Sequence, residues 1–277
     1  MIAVYAYPLK ESDAMTPEAA RAAAQMIAEA RWATTPLNIL PEACYPATVE
    51  EGYRVQAALH ALQAKSAMGR RAGYKIGCTT QVMQDYLGID HPCAGGIMDR
   101  GIHNGRAVLN YADFVRPGVE CEVVVRLGSD IPTGTGHTPD NVAIHVGSVM
   151  IGIEIVDDRY TDFRAIGLPT LIADDFFNAG CVLGTPLESW RALDLPALEG
   201  GFNINNEAGT LGRGADIMGH PLAALAWFAD HMTMTGKQLK AGDLVMLGSI
   251  VKTNWFDEPG EAVAEIKGLG AVSVVFA

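Results

Sequence analysis

The sequence predicts an α+β fold, with a helical subdomain over residues 1–72 and a β-rich core over residues 73–277. Strong helix formers crowd the first part of the chain, as in "PEAARAAAQMIAEARW". Valine- and isoleucine-rich runs separated by glycine turns dominate the rest. The two textures are segregated instead of alternating, which argues against a doubly wound parallel sheet. A stretch of about 70 residues would fold alone only marginally, so the helical part is expected to lean on the core.

Thr16-Pro17 supplies an N-cap and a first-turn proline for the first helix. The three prolines of "PLNILPEACYPAT" break it. The order Thr48-Val49-Glu50-Glu51 is a capping box and opens a second helix through about Met68, with Tyr53, Val55, Ala58, Leu59 and Leu62 near one face. "GYKIGCTT" reads as a strand running into a turn, and "TTQVMQDYLG" as a short helix closed by Gly88. Asn104-Gly105 marks a tight turn before the strand "RAVLN". Two long strands follow, "RPGVECEVVVRLGSD" and "VMIGIEIVDDRY", separated by the glycine-rich segment 128–141, which reads as a surface loop. "PLAALAWFADHMTMTG" is a last helix, entered through His220, with Trp227 and Phe228 as core residues. Strands with glycine turns fill the C-terminal end.

Composition narrows the function. The net charge of −12 speaks against a nucleic-acid partner, because nothing offsets phosphate repulsion. No apolar run is long enough for a membrane span. The N-terminus "MIAVYAYPLKESDAM" lacks basic residues before its apolar start, so a cytoplasmic location is expected. Five scattered cysteines without a C-x-x-C pair predict reduced thiols, not a zinc ribbon or a disulfide framework. The sequence has no H-E-x-x-H, P-loop, dinucleotide fingerprint or nucleophile elbow.

The acidic residues of the long strands are the feature to explain. Residues two apart share a strand face, so Glu120, Glu122 and Val124 point one way, and Val119, Cys121, Val123 and Val125 point the other. A solvated face would accommodate Glu120 and Glu122. Glu154 is different, because it sits among isoleucines, where an unpaired charge is costly. If the strands pair, the three carboxylates converge. Three hard oxygen ligands without Cys or clustered His suit Mg²⁺ or Mn²⁺ better than zinc. From spacing alone the wet face and the cation cage both stand. Asp157 and Asp158 either support the third acid or pair with Arg159.

The ordered stretches "YKIGCTT", "GIMDR", "RPGVECEVVVRLG", "GIEIVDDRYTDF", "MGHPLAALAWFADHM", "LKAGDLVMLGS" and "GLGAVSVVF" together resemble the 2-keto-4-pentenoate hydratase / 4-oxalocrotonate decarboxylase group of the fumarylacetoacetate hydrolase superfamily. The resemblance covers roughly residues 50–277. It implies a mixed β-sheet roll or sandwich core and a divalent ion, Mg²⁺ or Mn²⁺, on Glu120, Glu122 and Glu154. Glu at 154 is similar to the hydratase and decarboxylase branch, since the hydrolase branches typically carry Asp there. The family lysine matches Lys75 and its acid matches Asp99, which the resemblance makes catalytic; Thr79 and Ser249 become substrate contacts. The implied reaction adds water to a 2-hydroxy-2,4-dienoate in aromatic catabolism, giving a 4-hydroxy-2-oxoacid. The alternatives are a 4-oxalocrotonate-type decarboxylase, an acylpyruvate C–C hydrolase and a non-catalytic member. A homo-oligomer is implied. The chain departs from the family pattern at "ADDFFNAG" and "SIVKTNW", and at Thr80, where Ser is usual.

Overall fold

The computed structural model describes residues 15–277. The N-terminal stretch read for a secretion signal lies, apart from Met15, outside the described residues.

Helix α1 (Pro17–Ala33) begins as expected, with the Thr16 side chain accepting from Ala19 N and Pro17 in the first turn. Helix α2 (Val49–Gln63) opens on the Thr48/Glu51 capping box. It stops at Gln63, short of Met68, where Ser66 N donates to Gln63 O and Gly69 N to Ser66 O. The buried stripe of α2 is partly polar. Gln56 Nε2 donates to Ala94 O at 2.9 Å and Ile172 O at 2.8 Å, tying the helix to later chain. Small residues of α1 (Ala20, Ala23, Ala24, Ala28) pack with Val55, Leu59 and Ala173 in a core cluster of their own.

The remaining elements are β1 (Arg71–Gly77), α3 (Gln81–Leu87), β2 (Cys93–Met98), β3 (Ile102–Asn104), β4 (Arg106–Leu109), β5 (Pro117–Leu127), α4 (Pro139–Ala143), β6 (Val146–Asp157), α5 (Gly167–Ala173), β7 (Asn178–Leu183), β8 (Glu199–Ile204), β9 (Glu207–Arg213), α6 (Pro221–Met234), β10 (Leu244–Ser249), β11 (Asn254–Trp255), β12 (Gly260–Ile266) and β13 (Gly270–Phe276). Gly88 closes α3 at φ 67°, and the His220 ring caps α6 by accepting from Leu222 N.

These strands form an eight-stranded mixed sheet of order β2-β1-β10-β5-β6-β7-β3, with β11 on β5, and a five-stranded sheet of order β4-β13-β12-β8-β9. Asn104-Gly105 is a turn, but not a hairpin. Its flanking strands diverge, β3 onto β7 and β4 onto β13, so the turn links the two sheets. The main core lies between the sheets and under α6, and includes Val119, Cys121, Val123, Ile151, Ile153, Phe228 and Val274. The larger sheet curls until β2 contacts β7. Inside that curl Ile97, Val124, Met150, Cys181 and Met246 form a second apolar cluster, beside which the acids sit. The α+β class and the roll-like core therefore hold. The loop over 128–141 is anchored, since Gly136 N and His137 N donate to the Asp230 carboxylate on α6.

Candidate active site

Alternation along β5 and β6 places the acids. The strands pair antiparallel with Glu120 opposite Glu154 and Glu122 opposite Gly152, so all three carboxylates rise from one face. One carboxylate oxygen from each of Glu120, Glu122 and Glu154 lies within 4.8 Å of the others. Glu122 and Glu154 are fully buried. Behind them, Val119, Cys121, Val123, Ile153 and Ile155 are packed in the main core, which fixes the strand from the other side.

Each glutamate accepts a hydrogen bond from the chain. Gly248 N donates to Glu122 Oε2 at 2.6 Å. Asn178 Nδ2 donates to Glu154 Oε1 at 2.9 Å. The Thr253 hydroxyl donates to Glu120 Oε1. Lys75 Nζ, 3% exposed, stands 3.2 Å from Glu154 Oε1, with the Phe176 ring 5.7 Å away. Burial disfavours the Lys75 charge, but Glu154, Glu120 and Glu122 more than offset this and hold its pKa above the ordinary value.

The carboxylates remain undercompensated. Burial, reinforced by Glu154 and Glu120, pushes Glu122 well above the usual carboxylate range. Burial raises Glu154 to about 7, against the pull of Lys75 and Asn178. Glu122 Oε1 and Glu154 Oε2 are buried with no hydrogen-bond partner. Three acids against one lysine leave an excess of negative charge, and the carboxylates, two of them with an orphaned oxygen, form an all-oxygen donor set that fits a divalent cation.

Thr79 lies at this end of the sheet, buried, with its side chain against Gly248, the residue whose N–H holds Glu122. Ser249 pairs with Glu122 across β10 and β5. Its hydroxyl, however, is directed to Val251 O at 2.7 Å and Cys121 O at 3.2 Å, a strand-end turn. Asp99 is not brought to the acids. It follows Met98, whose partner on β1 is Arg71, four positions from Lys75. That is about 13 Å of strand. Its Oδ2 faces Arg70 at 3.9 Å, while its Oδ1 is buried with no hydrogen-bond partner. The chain then turns so that Gly101 packs against Gly180 of β7, and Asp99 flanks that strand without joining the acid cluster.

Asn178, Gly248 and Thr253 were not singled out by the sequence. Asn178 and Thr253 carried a signal, as parts of the departures "ADDFFNAG" and "SIVKTNW". The first segment turns out to be an arch with left-handed backbone at Asp175, Phe176 and Phe177, with φ of 53°, 47° and 69°. Three consecutive residues in this region deliver Asn178 to Glu154 and Phe176 to Lys75.

Comparison with known proteins places the chain in a family. The family described as fumarylacetoacetate (FAA) hydrolase C-terminal matches residues 102–276. A 2-keto-4-pentenoate hydratase of Paraburkholderia xenovorans is 32% identical over 267 residues, covering 95% of this chain and 96% of its own. A 2-hydroxyhexa-2,4-dienoate hydratase of Comamonas testosteroni is 32% identical over 235 residues, 83% of this chain and 86% of its own. Among solved structures, the 4-oxalocrotonate decarboxylase from Pseudomonas putida G7, complexed with magnesium and adipate, superposes with a TM-score of 0.89 over 96% of this chain and 100% of that one. At 23% identity this last likeness speaks for the fold alone. The chain belongs to the 2-keto-4-pentenoate hydratase / 4-oxalocrotonate decarboxylase group of the fumarylacetoacetate hydrolase family.

Proposed function

We propose that this protein is a divalent-metal-dependent hydro-lyase that adds water to a 2-hydroxy-2,4-dienoate and yields a 4-hydroxy-2-oxoacid, in the breakdown of aromatic compounds. The observation that carries this reading is the trio Glu120, Glu122 and Glu154, with two orphaned carboxylate oxygens, in a chain similar to hydratases over nearly its whole length. Those glutamates would hold Mg²⁺ or Mn²⁺; magnesium is the ion in the solved decarboxylase. When bound, the ion supplies a Lewis acid that stabilises negative charge on the substrate's C2 oxygen.

The chain's own residues do the rest. Gly248 N, Asn178 and the Thr253 hydroxyl fix the three carboxylates so that none must reorganise. Lys75 keeps its proton on Nζ and offers it to the anionic end of the substrate, while Phe176 shields that side from water. Ketonisation gives an α,β-unsaturated ketone, and water adds at its β-carbon. Thr79 has its hydroxyl available for the substrate. Ser249 serves it only by giving up a backbone contact, and Asp99 is left out of the reading.

The reading includes a cytoplasmic homo-oligomer. Exposed Val82, Val108, Ile144 and Leu211 offer apolar surface for a second copy. Among the described residues no helix is long and apolar enough to cross a membrane.

The test is incubation of the Mg²⁺-supplemented protein with 2-hydroxypenta-2,4-dienoate and, separately, 4-oxalocrotonate and an acylpyruvate, with product analysis. A 4-hydroxy-2-oxoacid from the dienoate is the expected product. CO₂ release from 4-oxalocrotonate alone would assign the decarboxylase reaction, and pyruvate release from the acylpyruvate alone would assign hydrolysis.

A further inference from the structure

A cavity opens on the opposite side of β1 and β2 from the glutamates, with α2 and α6 as its other walls. Its volume is about 330 Å³, within the range that holds a small organic ligand. The alternation of β1 separates the two places, since Lys75 turns to the acids and its neighbour Tyr74 lines the cavity. Gly95 contributes only backbone to the wall; a Cβ there would meet Lys75 Cδ at 3.1 Å.

The walls are aromatic. Tyr53 and His231 have ring centroids 4.8 Å apart, and Tyr74 and Phe228 pack edge to face at 4.9 Å. Arg71 and Lys237 also line the cavity, and no aspartate or glutamate does. Neither cation has an ion pair among the described residues. The Arg71 guanidinium lies 4.3 Å above the Tyr74 ring. Burial, and then Arg71, lower the pKa of Lys237. On the cavity floor His60 gives Nε2 to both oxygens of buried Asp175. Two unmatched cations side by side are unexpected in a chain of net charge −12. An anion bound between them would relieve their repulsion, and a flat π-system fits the rings below.

We propose that this cavity binds a planar, unsaturated monocarboxylate, with its ring or diene among Tyr53, Tyr74, Phe228 and His231 and its carboxylate between Arg71 and Lys237. The site is distinct from the glutamate cluster and independent of the reading given above. Trp227, stacked on His231 at 5.2 Å, makes it observable by fluorescence.

The probe is benzoate, titrated into the full chain with Mg²⁺ and again after EDTA treatment, with calorimetry beside the Trp signal. Benzyl alcohol is the uncharged control. The account expects saturable benzoate binding that survives EDTA, is weakened by about 10-fold or more in the doubly substituted Arg71→Gln/Lys237→Gln protein, and is much weaker for benzyl alcohol. Both cations are exposed, and circular dichroism checks that the variant is folded. Three results overturn the proposal: binding lost with EDTA but kept in the double variant, equal binding of benzyl alcohol, or no saturation up to about 10 mM.

Discussion

Among the described residues two clusters of three acids are built in opposite ways. Asp157, Asp174 and Asp175 are matched by Arg31, Arg159 and His60. Arg31 stands 2.6 Å from Asp174, Arg159 contacts Asp174 at 2.9 Å and Asp157 at 3.6 Å, and His60 holds Asp175 at 2.9 Å. The Asp175 pKa stays below normal, because His60, Arg31 and Gly96 N outweigh its burial. In this cluster every carboxylate has a partner on the chain, with Arg159 Nε left over, and the contacts fasten the helical region to the core. Glu120, Glu122 and Glu154 have only Lys75 as counter-charge and keep two orphaned oxygens, and Glu122 and Glu154 are forced upward in pKa. The acid count is alike in the two places, and all of these acids are buried except Glu120, which is half-buried. What differs is whether the chain itself supplies the counter-charge, and that difference separates a structural network from a site that needs a ligand.

Substitutions can break this contrast. Glu154→Ala should cost the largest effect, a loss of divalent-ion affinity beyond about 100-fold with the fold retained, read by calorimetry and circular dichroism. Arg159→Met should do the reverse. Stability in urea should fall by about 3–5 kcal/mol, because Asp157 and Asp174 are left without that partner, while the metal-site residues stay in place. Asn178→Ala should weaken metal binding by about 10- to 100-fold with little change in stability, since it removes only the group that orients Glu154.

The smallest effects concern pH. Glu154 in the folded protein titrates near 7, above the unfolded value of 4.5. The folded state therefore binds more protons across that window, and metal-free stability should fall as pH rises through it. Asp175 has the opposite sign: its lowered pKa contributes stability above the unfolded value of 3.8, which is lost as pH falls below that. Thermal melts of EDTA-treated protein should show both slopes, and the stabilisation given by added Mg²⁺ should grow from pH 5 to 8 as the carboxylates give up their protons. Glu122→Gln should raise metal-free stability at pH 8 by about 1 kcal/mol or more, because it removes a like charge. A loss there would mean that the cluster is balanced after all.

The glutamate site was legible because its information is local. Period-two alternation put Glu120 and Glu122 on one face, and the isoleucines around Glu154 marked it as a buried charge. The Thr16, Thr48 and His220 caps and the Gly88 stop were legible for the same reason. The aspartate cluster was not, because its bonds join residues far apart in the chain, Arg31 to Asp174 and His60 to Asp175. Asp157 with Arg159 was the one pair that adjacency exposed. Asp99 and Ser249 show the limit of motif reading. Both lie in the expected stretches, yet Asp99 faces Arg70 outside the acid cluster and the Ser249 hydroxyl turns to the backbone. Asn104-Gly105 was legible as a turn, but the sheets it joins depend on long-range pairing.

The central claim is that Glu120, Glu122 and Glu154 together hold one divalent ion. Titration of Mn²⁺ into EDTA-treated protein, followed by calorimetry in the wild type and in Glu122→Ala, tests it most directly. The account predicts one ion per chain in the wild type and no saturable binding in the variant. Equal binding in both proteins would contradict it.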